Sequence, residues 1–242
     1  MSGKRRSNLT GFAFLAPNMT GFLVFTLIPV TAAFGLSLFE WNLFQPPQFV
    51  GLRNFVDLLG ISSDEAGWYC NDPRFWKFLG NTFFLMMNIP ICMAASLFLA
   101  IVLNQKIKGR VIFRTVFYLP TICSGIGIML LWMWVFSPTG LANSMLKLIG
   151  IAGPNWLKSY HWAKPSIMLM GLWGAMGGTS MILYLAGLQG VPPQLYEAAE
   201  IDGATTWQQF RHITFPMLTP TTFFIFITGV IGGFQGGFQA AY

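Results

Sequence analysis

Apolar residues in this chain come in long runs, and the polar positions gather between them. A helix needs about 20 apolar residues to cross the hydrocarbon core of a bilayer. Five stretches meet that need: 12–39, 78–103, 115–136, 165–187 and 217–242. The pattern predicts an all-α fold, a polytopic membrane helical bundle forming a single transmembrane domain over 1–242. Pro17 is expected to divide a short interfacial piece from the first span proper. The first run is too long for the apolar core of a secretory signal, roughly 7–15 residues, and no small-x-small site closes it. It is read as a retained span. The last run is still apolar at Tyr242, so a sixth span is expected beyond it.

The polar intervals set the orientation. The loop 104–114 carries Lys106, Lys108, Arg110 and Arg114 with no acid, and Lys4, Arg5 and Arg6 precede the first run. Basic loops stay on the cytoplasmic side. Two spans separate these clusters, so both fall inside, and so does the interval 188–216. Segments 40–77 and 137–164 then fall outside. The first of these holds Trp41, Trp68 and Trp76 beside Asp57, Asp64, Glu65 and Asp72, which suits an interfacial aromatic belt.

Composition agrees with lipid as the solvent. The chain is 54% hydrophobic and 9% charged, against about 25% charged in soluble domains. The net charge of +6 sits at the flanks of apolar runs, so it is not read as nucleic-acid affinity. The cysteines Cys70, Cys92 and Cys123 show no metal spacing and are read as free thiols.

None of the five spans contains Asp, Glu, Lys, Arg or His. Ion-coupled carriers place ionisable groups at membrane depth, and membrane metalloenzymes need His, Asp or Glu clusters. A transporter built this way needs its energy from another subunit. The spans do hold neutral polar residues, among them Asn81, Thr82, Asn88, Ser96, Thr121, Ser124, Thr179 and Ser180. These suit helix–helix packing, or alternatively a path for a neutral solute.

The interval 197–216 reads EAAEIDGATTWQQFRHITFP. Pro193 suits a first helical position, and Gly203 suits a left-handed helix end. A second short helix follows over 204–213, with Trp207, Phe210 and Ile213 forming an apolar stripe. Pro216 marks entry to the last span. Ala198 and Ala199 leave a flat patch where another protein can approach. Two short helices about a glycine bend suit either an interfacial linker or a docking element.

The same stretch resembles the signature loop of the permeases of ATP-binding-cassette importers: Glu-Ala-Ala, three residues, Gly, nine residues, Ile-x-Leu-Pro. Here Glu197-Ala198-Ala199 is followed at those spacings by Gly203 and by Ile213-Thr214-Phe215-Pro216, with Phe215 the one departure. FLAP at 14–17, FVGLRNF at 49–55 and LNQKIKGRVIFRTVFYLP at 103–120 resemble the carbohydrate-uptake branch of that family. The likeness is closest to the first permease subunit of glycerol-3-phosphate, maltose and multiple-sugar systems.

The resemblance implies a type I importer fold in a bacterial inner membrane, with the N-terminus cytoplasmic. It implies that 188–216 is a coupling loop, with Glu197, Ala198, Ala199, Asp202, Gly203, Ile213 and Pro216 meeting a cytoplasmic ATPase dimer. A second homologous permease and an extracytoplasmic solute-binding protein complete the assembly. The chain itself carries no catalytic residue and no metal or cofactor, since ATP and magnesium are used by the ATPase. The cargo implied is a sugar or sugar-like solute, glycerol 3-phosphate included. Leu172, Ala175, Met176 and Thr179, carried over by distance from Glu197, are expected near its path, with Asn88. The rival readings are a secondary carrier or channel for a small neutral solute, and a membrane scaffold that recruits a cytoplasmic partner.

Overall fold

The computed structural model describes residues 2–64, 67–105 and 107–240. Expectations placed on Glu65, Lys106 and Tyr242 lie outside them, and nothing follows for the side chains of Lys4, Arg5, Arg6, Asp64 and Trp68. The chain divides into two compact units, 1–77 and 78–242.

In the first unit, α1 (Ser2–Phe22) runs straight through Pro17. The expected break there is not made. A π-helical turn, Leu23–Leu27, comes next, and then α2 (Ile28–Leu36). The irregularity belongs to Pro29, which has no N–H to offer the Phe25 carbonyl one turn earlier. Local π geometry lets a membrane helix re-satisfy such freed groups. Gly11–Leu36 has a mean hydropathy of 1.9 and is long enough to cross a membrane.

The rest of this unit carries the strands in a mostly helical chain. Strands β1 (Phe39–Glu40) and β2 (Gln48–Phe49) pair antiparallel, and the Phe39 and Phe49 rings meet edge-on at 5.3 Å. Asn54 of α3 (Arg53–Leu59) donates to the carbonyls of Ser37 and Phe39 at 2.9 and 3.0 Å. A second ladder joins β3 (Ile61–Asp64) to β4 (Gly67–Cys70). These strands are two to four residues long, too short to show a clear alternation against the apolar runs beside them.

The second unit holds helices and connecting turns, with no strand among its described residues. Helices α4 (Pro73–Met86) and α5 (Asn88–Asn104) together form a 32-residue apolar rod of mean hydropathy 2.2. The next two runs, expected as continuous helices, are both bent. Helix α6 (Arg110–Ile122) meets α7 (Gly125–Val135) at 99°. Pro120 removes one donor near the end of α6, Cys123 and Ser124 are extended, and Gly125 and Gly127 weaken the first turn of α7. After a short helix, α8 (Leu141–Leu148), come α9 (Ala163–Met176) and α10 (Thr179–Gln189), bent by 40° at Gly177–Gly178. Gly177 is buried against α6, where an added Cβ would collide with the Phe117 carbonyl. The break and the close approach therefore share one residue.

The core lies between α5, α10 and the last helix, α14 (Thr219–Ala240). Leu99, Ala100 and Leu103 of α5 meet Met181, Tyr184, Leu185 and Leu188 of α10, with Leu218 and Ile225 closing the third side. Both sets follow the three- and four-residue spacing of a helix stripe. Polar bonds fix α5 beside α9. The Asn88 amide donates to the Met168 carbonyl at 2.8 Å, and the buried Ser96 hydroxyl donates to Ala175 at 2.9 Å. Lys164 lies over the Phe84 ring at 5.1 Å. The pairs 84/164, 88/168 and 96/175 keep nearly one offset, so the two rods run parallel. Along α14, Cβ atoms at Gly229 and Gly233 would press on Ile89 and Met86 at 3.1 and 2.8 Å, so small residues set the spacing.

Candidate functional site: the coupling segment and the membrane recess

The segment after α10 is organised by local backbone chemistry. Pro192 is extended and Pro193 occupies the first turn of α11 (Pro193–Ile201), where a missing N–H costs no helical bond. Asp202 caps the far end and Gly203 takes the left-handed conformation, with φ +74. The Ala204 N–H reaches back to the Ala199 carbonyl at 2.8 Å, and the Gly203 N–H to Glu200 at 3.1 Å. This pair of bonds is a Schellman end, which a left-handed glycine favours.

A new helix starts at once. Thr205 and Gln208 form a reciprocal capping box: the Thr205 N–H donates to Gln208 Oε1 at 2.7 Å, and the Gln208 N–H to Thr205 Oγ1 at 3.4 Å. From there α12 (Thr206–Gln209), a π turn (Phe210–Thr214) and α13 (Phe215–Met217) form one continuous rod. The π turn again sits one turn ahead of a proline, here Pro216. The rod then bends by 63° into α14 at Leu218. The bend into α14 therefore falls at Leu218, two residues after Pro216. Pro220 accounts for the position, because it has no N–H to offer the Pro216 carbonyl one turn earlier and its ring crowds that turn.

The expected apolar stripe is displaced in the same way. Trp207 is 66% exposed and stacks on Phe210 at 5.4 Å, while Phe210 and Ile213 are half-buried. The deeply buried positions are Thr214 and Leu218. A π turn carries an extra residue, so it rotates every later position relative to the 3.6-residue pattern. Thr214 shares a 2.8 Å hydrogen bond with the Tyr196 hydroxyl, which ties the second rod to α11. Neither residue was singled out from the sequence, and nothing in their 18-residue separation signals the bond. The capping box was legible as a Thr-x-x-Gln pattern ahead of an apolar run.

Of the sequence-derived coupling residues, Glu197, Ala198, Asp202, Gly203 and Pro216 are exposed, and Ala199 and Ile213 are half-buried. Glu197, Glu200 and Asp202 give α11 an exposed acidic rim. Behind the segment, a recess of about 270 Å³ opens between it and the end of α5, lined by Asn104, Gln105, Tyr196 and Thr214 among others. The segment is thus a stiff bracket, capped internally, with its acidic and small residues turned outward.

The solute-path candidates separate. Asn88 and Ala175 line one recess of about 380 Å³ together with Gly171, Ser180 and Thr228. Leu172, Met176 and Thr179 do not line it: Met176 packs on the core, Leu172 is half-buried and Thr179 is exposed. Leu172 and Met176 share α9 with Ala175, and Thr179 begins α10 after the bend at Gly177–Gly178. Among the described residues no group of three or more His, Cys, Asp or Glu is gathered as a metal site would require.

The model of the binding-protein-dependent transport system inner membrane component matches residues 73–242, the stretch that holds the α5–α10–α14 core and the capped bracket. The chain belongs to that family. This permease family member is 36% identical over 241 residues to the probable ABC transporter permease YesP of Bacillus subtilis, covering 98% of this chain and 74% of that one. It is 37% identical over 227 residues to the arabinooligosaccharide transport permease AraP of the same species, covering 93% and 68%. Its fold matches a chain in the crystal structure of a bacterial alginate ABC transporter in complex with its alginate pentasaccharide-bound periplasmic protein. The TM-score is 0.80 at 25% identity, over 99% of this chain and 77% of that one. The permease is therefore a non-catalytic inner-membrane subunit of a binding-protein-dependent transporter, with the fold of ABC importer permeases.

Proposed function

We propose that this permease moves a sugar or sugar-like solute inward, paired with a second homologous permease and driven by a cytoplasmic ATPase dimer. The N-terminus is cytoplasmic, and an extracytoplasmic binding protein delivers the solute. ATP and magnesium are used by the ATPase, and this chain binds no cofactor. The relatives named for arabinooligosaccharide and alginate transport support a carbohydrate cargo.

The observation that carries this reading is the bracket at 193–217. Transmitting a push requires an element that does not bend internally, and this one is closed by a Schellman end, a capping box and the Tyr196–Thr214 bond. Its outward face offers Glu197, Ala198 and Gly203 to a partner surface. ATPase closure would push the bracket. The bracket continues through the Leu218 bend into α14 and through α10 into the core, so the push reaches the helices that line the recess.

Glu197→Lys tests the docking role. Because Glu197 is exposed, the variant should insert and fold normally. It should lose co-purification with the ATPase and solute uptake together. Unchanged co-purification and uptake would remove the coupling assignment.

A further inference from the structure

Helix α8 lies between the membrane helices α7 and α9, beginning six residues after Val135. One face of it is locked inward. Asn143 accepts from the Trp156 indole N–H at 2.7 Å, and its amide donates to the carbonyls of Pro138 and Pro154 at 3.2 and 3.3 Å. Trp156 in turn packs on Phe136 at 5.4 Å and Trp162 at 5.2 Å, and Phe136 is 3% exposed. This aromatic and amide network fixes the rotation of α8 about its axis.

The opposite face is apolar and open. At about 100° per residue, Leu141, Met145 and Leu148 fall within one narrow arc, roughly opposite Asn143. They are 48%, 61% and 88% exposed, and Ile149 just beyond is 69% exposed. In water such a stripe is unfavourable by about 25 cal/mol for each Å² that could be covered. The segment 137–164 also carries Lys147, Lys158 and Lys164 and no Asp or Glu. Lys164 is engaged with Phe84, whereas Lys147 and Lys158 are exposed.

An apolar stripe flanked by lysines, on a segment held at both ends by membrane helices, matches an interfacial amphipathic helix. We propose that α8 docks on the bilayer. Leu141, Met145 and Leu148 enter the acyl-chain border, and Lys147 and Lys158 meet the phosphates of anionic headgroups. The helix then anchors the outer end of α7 and α9 to the leaflet through the Asn143–Trp156 network. This inference rests on the membrane placement of the family and not on the cargo.

The test uses the assembled transporter in vesicles of phosphatidylglycerol and phosphatidylcholine, with Cys70, Cys92 and Cys123 first replaced by serine. Met145→Cys and Leu148→Cys carry spin labels. Strong contact with dissolved oxygen and weak contact with an aqueous nickel chelate is the expected result. Free access of the chelate overturns the proposal. Shielding from both reagents overturns it too, because a protein partner would then cover the face. Separately, replacing Lys147 or Lys158 by Gln should lower the preference for phosphatidylglycerol about fivefold each, from the usual contribution of a juxtamembrane lysine. An unchanged preference overturns the headgroup contact. Failure of solute uptake in the same vesicles would count against the transport reading and leave the label depths as they are.

Discussion

Residues 193–217 keep their shape through bonds between near neighbours and one over 18 residues, Tyr196–Thr214, whereas the recess around Asn88 and Ala175 joins residues from distant helices. The Schellman end and the capping box close over three to five positions. The Asn88–Met168 bond closes over 80. The bracket can therefore move as a unit, since little of its integrity depends on the rest of the bundle. The recess cannot move without shifting α5 against α9. On the proposed reading, turning a push into a rearrangement calls for both: one stiff local lever, and one site whose shape depends on how long helices are aligned.

The largest effect expected from this contrast is at Gly203. Its φ of +74 is left-handed, a region that costs other residues roughly 1–2 kcal/mol and β-branched ones more. Gly203→Val should unwind the Schellman end and tilt α11 relative to the second rod. Uptake should be abolished while membrane insertion and the thermal stability of the bundle stay near normal. If stability falls as far as uptake does, the bracket is not the independent lever described.

That same locality decides what could be read from the sequence. Gly203, Pro193 and Thr205–Gln208 announce their backbone roles by residue type, so two short helices about a glycine were legible. The charge-free runs likewise announced a membrane bundle. The π turns before Pro29 and Pro216 were not legible, because a proline alone does not say whether a helix will break, bend or absorb the lost donor. Pro17 absorbs it, Pro216 shifts the register, and Pro220 contributes a 63° bend. The path residues are a different case. Leu172, Ala175, Met176 and Thr179 were carried over by distance from Glu197, and a distance along the chain does not say which face of α9 opens on a recess; of the four, Ala175 lines the one beside Asn88.

The next effect sharpens the other side of the contrast. Gly177 has no room for a methyl group because the Phe117 backbone occupies the space. A backbone neighbour cannot rotate away, so Gly177→Ala should force α6 from α9 at the usual overpacking cost of about 1–3 kcal/mol. The measurement is thermal unfolding of the purified transporter, which should drop by several degrees. ATPase co-purification should survive, since the bracket is untouched. Loss of co-purification at unchanged stability would reverse the assignment of lever and bundle.

The smallest effect is at Asn88. Its amide donates to the Met168 carbonyl, which sits within α9 and already serves the helix, so the bond is an addition to a satisfied acceptor. Side-chain hydrogen bonds between membrane helices average about 0.6 kcal/mol, and Asn88→Ala should cost no more than that in stability. Its consequence for transport is expected to be larger than its consequence for folding. Asn88 supplies a polar group to the 380 Å³ recess, and hydroxyl-rich solutes need such groups where water is excluded. Uptake should therefore weaken mainly through a raised KM, with the melting temperature almost unmoved. A fall in stability with no change in KM would make Asn88 a helix clasp alone and leave Ser180 and Thr228 as the polar groups facing the solute.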